Sequence, residues 1–150
     1  MTLSIRDARL EDAIAISALI IAAIRETNAK DYPASFIEKL PEHFAPEHVA
    51  NRIRSRNTYV SVKSGDILGT ASLDKATVRS VFVMPEHQGF GIGLALMKHI
   101  EELAMRTEVK TLTVPSSVTA EGFYQKLGYV KVREEYEGVE KVIIMSKSFS

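Results

Sequence analysis

The sequence predicts an α+β fold built on one mixed, mostly antiparallel sheet of about seven strands with four helices. Three observations carry this prediction. Apolar residues alternate with polar ones in short segments joined by turn residues, as in Thr58–Val62 and Ile67–Leu73 around Ser64-Gly65-Asp66. Elsewhere apolar residues recur at helical spacing, as in Leu10–Asn28 and the segment from Ile92 to Arg106. Between the strand Thr77–Met84 and the short apolar run Thr111–Val114 lie only a glycine-dense loop and that last helix, so a right-handed parallel crossover is the simplest link.

Taken in order, Leu3, Ile5 and Ala8 alternate as a first strand, and Leu10–Asn28 follows as a helix with Glu11 and Asp12 near its positive end. Asp31–Pro46 mixes prolines with aromatics and reads as a loop with a short helical piece, leading into a second helix from Pro46 to Arg56. The hairpin over 58–73 and the Asp74-Lys75 turn lead to Thr77–Met84. In the next helix Ile92, Ala95, Leu96, Ile100, Leu103 and Ala104 share one face. Pro115-Ser116-Ser117 interrupts the strand Thr111–Val114, Val118–Leu127 is a short helix stopped by Gly128, and Tyr129–Glu135 pairs with Val139–Met145 around Glu137-Gly138. Repeats, low-complexity tracts and linkers are absent from the sequence. A chain of 150 residues fits one domain over residues 1–150.

Nineteen basic residues balance 19 acidic ones, so no global field draws the chain to nucleic acid or an anionic membrane. Any anion site must be local. The absence of cysteine removes disulfides, thiolate metal sites and cysteine nucleophiles, and leaves the cytoplasm as the expected location. Ala13–Ile24, the most apolar segment, is too short and too closely bracketed by charge to span a bilayer. His43, His48, His87 and His99 lack the paired spacing of metal ligands, so no metal is expected.

The most informative local pattern is Gln88-Gly89-Phe90-Gly91-Ile92-Gly93, set between a strand and a helix. Glycines let backbone N–H groups approach an anion, and the helix start adds unpaired donors and a positive dipole end. The same pattern also serves a tight turn or close helix packing. A nucleotide P-loop would need lysine and a hydroxyl residue after its last glycine, where Leu94 and Ala95 stand. A dinucleotide unit would want an acid some 20 residues on, roughly where the chain has Val114 and Pro115.

The run Val81-Phe82-Val83-Met84-Pro85-Glu86-His87-Gln88-Gly89-Phe90-Gly91-Ile92-Gly93 resembles the acetyl-CoA signature of the GCN5-related N-acetyltransferase (GNAT) superfamily, with Gln88, Gly91 and Gly93 at its defining positions. Ala120-Glu121-Gly122-Phe123-Tyr124-Gln125-Lys126-Leu127-Gly128-Tyr129 is similar to that family's second motif. The resemblance covers almost the whole chain. It implies an α/β/α-layered acyltransferase fold and an enzyme that moves an acetyl group from acetyl-CoA, its co-substrate, to a primary amine by direct attack in a ternary complex.

By position, the resemblance implies that backbone donors from Gln88 through Gly89, Phe90, Gly91, Ile92 and Gly93 to Leu94 hold the CoA pyrophosphate. Strand backbone around Val81, Phe82 and Val83 then pairs with the pantetheine arm. Phe90 and Ile92 act as spacers or packing. Tyr124 matches the tyrosine that protonates the departing thiolate. Ser117 stands where many relatives have asparagine, as a helix cap or as a hydroxyl toward pantetheine. Thr77 occupies a place where many relatives carry a glutamate base, which leaves water or a carboxylate from Glu26, Asp31, Glu38 or Glu137. The segment from Glu26 to Pro46 and the hairpin near Tyr136 and Glu137 are expected to select the amine. A small-molecule amine is expected as acceptor, and family habit allows a homodimer. Two alternatives stand beside this expectation: a CoA-binding sensor module without catalysis, and an acetyltransferase for a protein lysine or α-amino group.

Overall fold

The computed structural model describes residues 2–149, so Met1 and Ser150 lie outside it. Seven strands, β1 (Ser4–Asp7), β2 (Asn57–Lys63), β3 (Asp66–Asp74), β4 (Thr77–Val83), β5 (Thr111–Ser117), β6 (Val130–Glu137) and β7 (Glu140–Ser148), form one sheet. Their spatial order is β1-β2-β3-β4-β5-β7-β6, and only β4 and β5 run parallel. The expected mixed sheet and its parallel crossover are both present.

Strand alternation divides the apolar residues between two layers. On β2, Tyr59 joins the cluster around Leu96, Met97 and Ile100 of helix α5 (Ile92–Arg106), while Val60 joins Ile16, Leu19 and Ile24 of helix α1 (Ala13–Glu26). Each such side chain, fully buried, contributes about 1.5–3 kcal/mol. Three further helices share the α1 face: α2 (Ala34–Glu38), α3 (Leu40–His43) and α4 (Pro46–Ser55). A last short helix, α6 (Glu121–Lys126), carries Tyr124 into the α5-side core. The stretch expected as loop with a short helical piece thus holds two short helices. None of the described helices is long and apolar enough to cross a membrane.

Two boundary differences lie beside the cavity described below. The strand β5 does not stop at Pro115 but continues to Ser117, paired with β7 throughout. Proline is tolerated because the ladder between β4 and β5 has already ended, so its missing N–H deprives no neighbour. The last helix starts at Glu121 rather than Val118. Ser117 Oγ accepts the Ala120 N–H at 3.1 Å, closing a turn ahead of the helix rather than capping it. Gly128, at φ 98, then turns the chain back as expected.

Candidate active site

The two central strands touch only at their beginnings. Thr77 pairs with Thr113, and the Thr113 N–H donates to Ala76 O at 2.9 Å. Beyond that point they part. The strand β4 carries one more residue than β3 between the pairs Ser72–Arg79 and Thr70–Phe82, a bulge in which Ser80 takes φ 56. Such a bulge bends the strand that bears it. A cavity of about 680 Å³ opens in the gap, walled by both strands, the end of α1, α4, the glycine loop, the start of α5 and the ring of Tyr124.

One end of the cavity is a row of donors. No hydrogen-bond acceptor meets the backbone N–H groups of residues 89–94 among the described residues. Gly89 and Gly91 sit at φ 84 and 82, and a Cβ on either would meet no protein atom within 4 Å. Gln88 fastens the loop from below, its Nε2 donating to Thr27 Oγ1 at 3.0 Å. Helix α5 reaches this position because Gly69 leaves it room: a Cβ there would lie 2.8 Å from Ser61 Oγ and 2.9 Å from Ile92 Cγ2.

A Cβ at Gly93 would press on Phe123 Cζ at 3.2 Å, so this glycine serves packing beneath the first turn of α5. At Gly91 the constraint is backbone conformation, and the space beyond is open.

Along the gap the edge of β4 has no strand partner and faces the cavity, with Gln88 Nε2 donating to Val83 O at 3.4 Å. The Met84 N–H bonds to Leu68 O on the β3 side, so by alternation Phe82 shares that edge and Val81 and Val83 turn their N–H and C=O groups to the gap. Tyr124 is 5% exposed and lines the cavity, with no side-chain hydrogen bond among the described residues. Burial pushes its phenol well above the usual range, which keeps the proton on. Ser117 also lines the cavity and accepts from Asn28 Nδ2 at 3.2 Å.

The opposite end is polar in a different way. Arg52 of α4, Arg56 just after it, Arg79 and Ser80 of β4, Tyr32, Phe44, Glu137 and Glu140 all line it. Arg79 pairs with Glu137 at 3.5 Å. Burial pushes the Glu140 carboxyl up to about 7, Asp31 and Glu137 add to the shift, and hydrogen bonding from Tyr32 opposes it.

Residues 28–145 match the acetyltransferase (GNAT) domain family. The chain belongs to the GNAT family. Its fold superposes on a GCN5-related N-acetyltransferase from Rhodopseudomonas palustris with a TM-score of 0.91 and 26% identity, over 99% of this chain and 97% of that one. The PaiA N-acetyltransferase of Thermoplasma acidophilum, crystallised with coenzyme A, shares the fold at a TM-score of 0.85 and 18% identity, over 99% and 100% of the two chains. An uncharacterized N-acetyltransferase, ycf52, of Porphyra purpurea is 30% identical over 64 residues. That match covers 43% of this chain and 37% of the relative, so the chain spans little more than a third of the curated relatives it matches.

In this GNAT chain the residues singled out by sequence converge on one cavity: Val81, Phe82, Val83, Gln88, Gly89, Gly91, Ile92, Gly93, Leu94, Ser117 and Tyr124 all line it. Phe90 does not, and its side chain is 78% exposed. Thr77 lies outside the lining, at the base where the strands still pair, as do Glu26, Asp31 and Glu38. Glu137 lines the cavity but is neutralised by Arg79. Glu140 and the pair Arg52 and Arg56 were not singled out. The available signal for Glu140 was its phase, since it precedes Val142 and Ile144 on one face of β7, next to the hairpin expected to select the amine.

Proposed function

We propose that this chain is an acetyl-CoA-dependent N-acetyltransferase that acetylates a primary amine by direct attack within a ternary complex. The observation that carries this reading is a single cavity joining a row of free backbone donors to a half-buried carboxylate, with Tyr124 in its wall. The protein fits the co-substrate. Backbone N–H groups at a helix start suit a pyrophosphate, the space above Gly89 and Gly91 is open, and the unpaired edge of β4 suits an amide-bearing arm by strand addition.

Bound acetyl-CoA would supply a thioester carbonyl, at which a C–N bond forms as the C–S bond breaks. An ammonium acceptor therefore loses one proton before attack and a second as the amide forms, while the sulfur leaves as a thiolate that solvent protonates. An alkylammonium with a pKa of about 10.4 is neutral in under about one part in a thousand at pH 7, so the amine needs a base. Glu140 fills that role, because a carboxylate with its proton affinity near 7 takes a proton at neutral pH and releases it afterwards. Tyr124 serves the sulfur. A thiol titrates near about 8.5, below a phenol raised by burial, so the hydroxyl stabilises the departing thiolate by donating a hydrogen bond.

Two measurements test this. Thiol release from acetyl-CoA across a panel of primary amines should identify at least one acceptor. Binding of acetyl-CoA without release on any amine would instead make the chain a CoA-binding module. Tyr124→Phe should lower turnover at least about tenfold, equivalent to roughly 1.4 kcal/mol in the barrier, with the acetyl-CoA Kd held. Full turnover in that variant removes Tyr124 from the chemistry.

A further inference from the structure

We propose that the acceptor is an amine carrying a carboxylate of its own, which Arg52 and Arg56 bind while the amino group meets Glu140. This rests on the acetyltransferase reading above and narrows its acceptor to amino-acid-like molecules. Arg52 lies in the last turn of α4, Arg56 is the extended residue that follows the helix, and both line the cavity. Neither has a carboxylate partner among the described residues. Arg52 lies over the Phe44 ring at 5.0 Å, and Arg56 Nη1 donates to Ser80 Oγ at 3.5 Å. Burial lowers the proton affinity of both, and Arg52 and Arg79 lower that of Arg56 further, with Asp74 and Glu137 opposing less strongly. Half-buried guanidinium groups held against neutral partners, inside a cavity, are complementary to an anion, and their planar forks match a carboxylate.

That anion is not the CoA pyrophosphate. Arg56 contacts Ser80 at the bulge, and from there to Val83 the strand runs about 10 Å before the glycine loop begins. The charge balance of this end gives the rest of the acceptor. Arg79 and Glu137 neutralise each other, which leaves two cationic groups at the end of α4 and just beyond it and one carboxyl on β7, a dipolar wall. A diamine would set its second cation against the arginines, and like charges so placed repel. A plain alkylamine would leave them unanswered.

The test compares matched pairs with and without the acid: γ-aminobutyrate with butylamine, lysine with cadaverine, and phenylalanine with phenethylamine. At least one acid-bearing member should exceed its partner in kcat/KM by about tenfold or more. Arg56→Gln and the double change with Arg52→Gln should cut that preference by about tenfold, with acetyl-CoA affinity by calorimetry unchanged and Arg56→Lys retaining part of it. Lysine against a peptide ending in lysine separates a free amino acid from a peptide terminus. Equal or better rates for every partner lacking the acid would overturn the proposal. So would an equal loss of acetyl-CoA affinity in the arginine variants, which would assign them to the co-substrate. Absence of acetyl-CoA binding to the unaltered protein is a different result. It would sink the acetyltransferase reading, and calorimetric binding of the preferred amino acid, lost in Arg56→Gln, would still uphold the acid site.

Discussion

Glu140→Gln lowers kcat/KM by about 100-fold or more, the usual loss when a positioned base is removed. Glutamine keeps the shape and one hydrogen-bond acceptor but takes no proton. In the unaltered protein the carboxyl titrates near about 7, so kcat/KM rises with pH through that value as Glu140 ionises. The variant loses this limb and keeps only the rise set by the free-amine fraction at higher pH. Unfolding does not explain such a loss. A carboxyl whose folded proton affinity is raised contributes its full stabilisation below its unfolded value of 4.5, and that contribution is lost as pH rises through about 7. Removing the charge therefore leaves the variant melting no lower than the parent above pH about 7. A pH profile unchanged in Glu140→Gln assigns the proton to another group, and the Arg79-paired Glu137 is the next carboxylate on the cavity wall.

What was legible in the sequence follows from how each requirement is written into residue type. Positive φ at Gly89 and Gly91 admits few residues, so the loop stood out from the chain. Tyr124 was visible through the neighbours that end its helix. Pro115 was misread as an interruption because proline's effect depends on whether its edge has a partner, and the parting of β4 from β5 is a tertiary fact. The bulge at Ser80 was hidden likewise, since β4 reads as an ordinary run of alternating residues. Arg52, Arg56 and Glu140 were hardest to see. A charged residue on an amphipathic helix or at a strand start looks solvated in sequence, and only the packing of α4 and β7 around the gap turns these three inward.

Gly91→Val weakens acetyl-CoA binding by about 5- to 150-fold, the equivalent of roughly 1–3 kcal/mol of backbone strain. The effect comes from conformation. Gly91 caps helix α5 at φ 82, a region in which a β-branched residue is a strong outlier. The space around its Cβ is empty, so valine meets no protein atom and the chain relieves strain by moving the loop. Movement of Gly91 misaligns the N–H groups of the residues that follow, and an anion held by several converging donors loses them together. Part of the strain also appears as lowered stability, so the melting temperature falls with the affinity. Gly122→Ala is the control: its Cβ also meets open space, but its φ is ordinary and it lies in helix α6, where alanine is favoured by up to about 1 kcal/mol. Calorimetry on both variants separates the two influences. An acetyl-CoA Kd unchanged in Gly91→Val, with the fold retained, means that the left-handed turn does not shape the anion site, and the free donors at residues 89–94 then lose their assignment to the pyrophosphate.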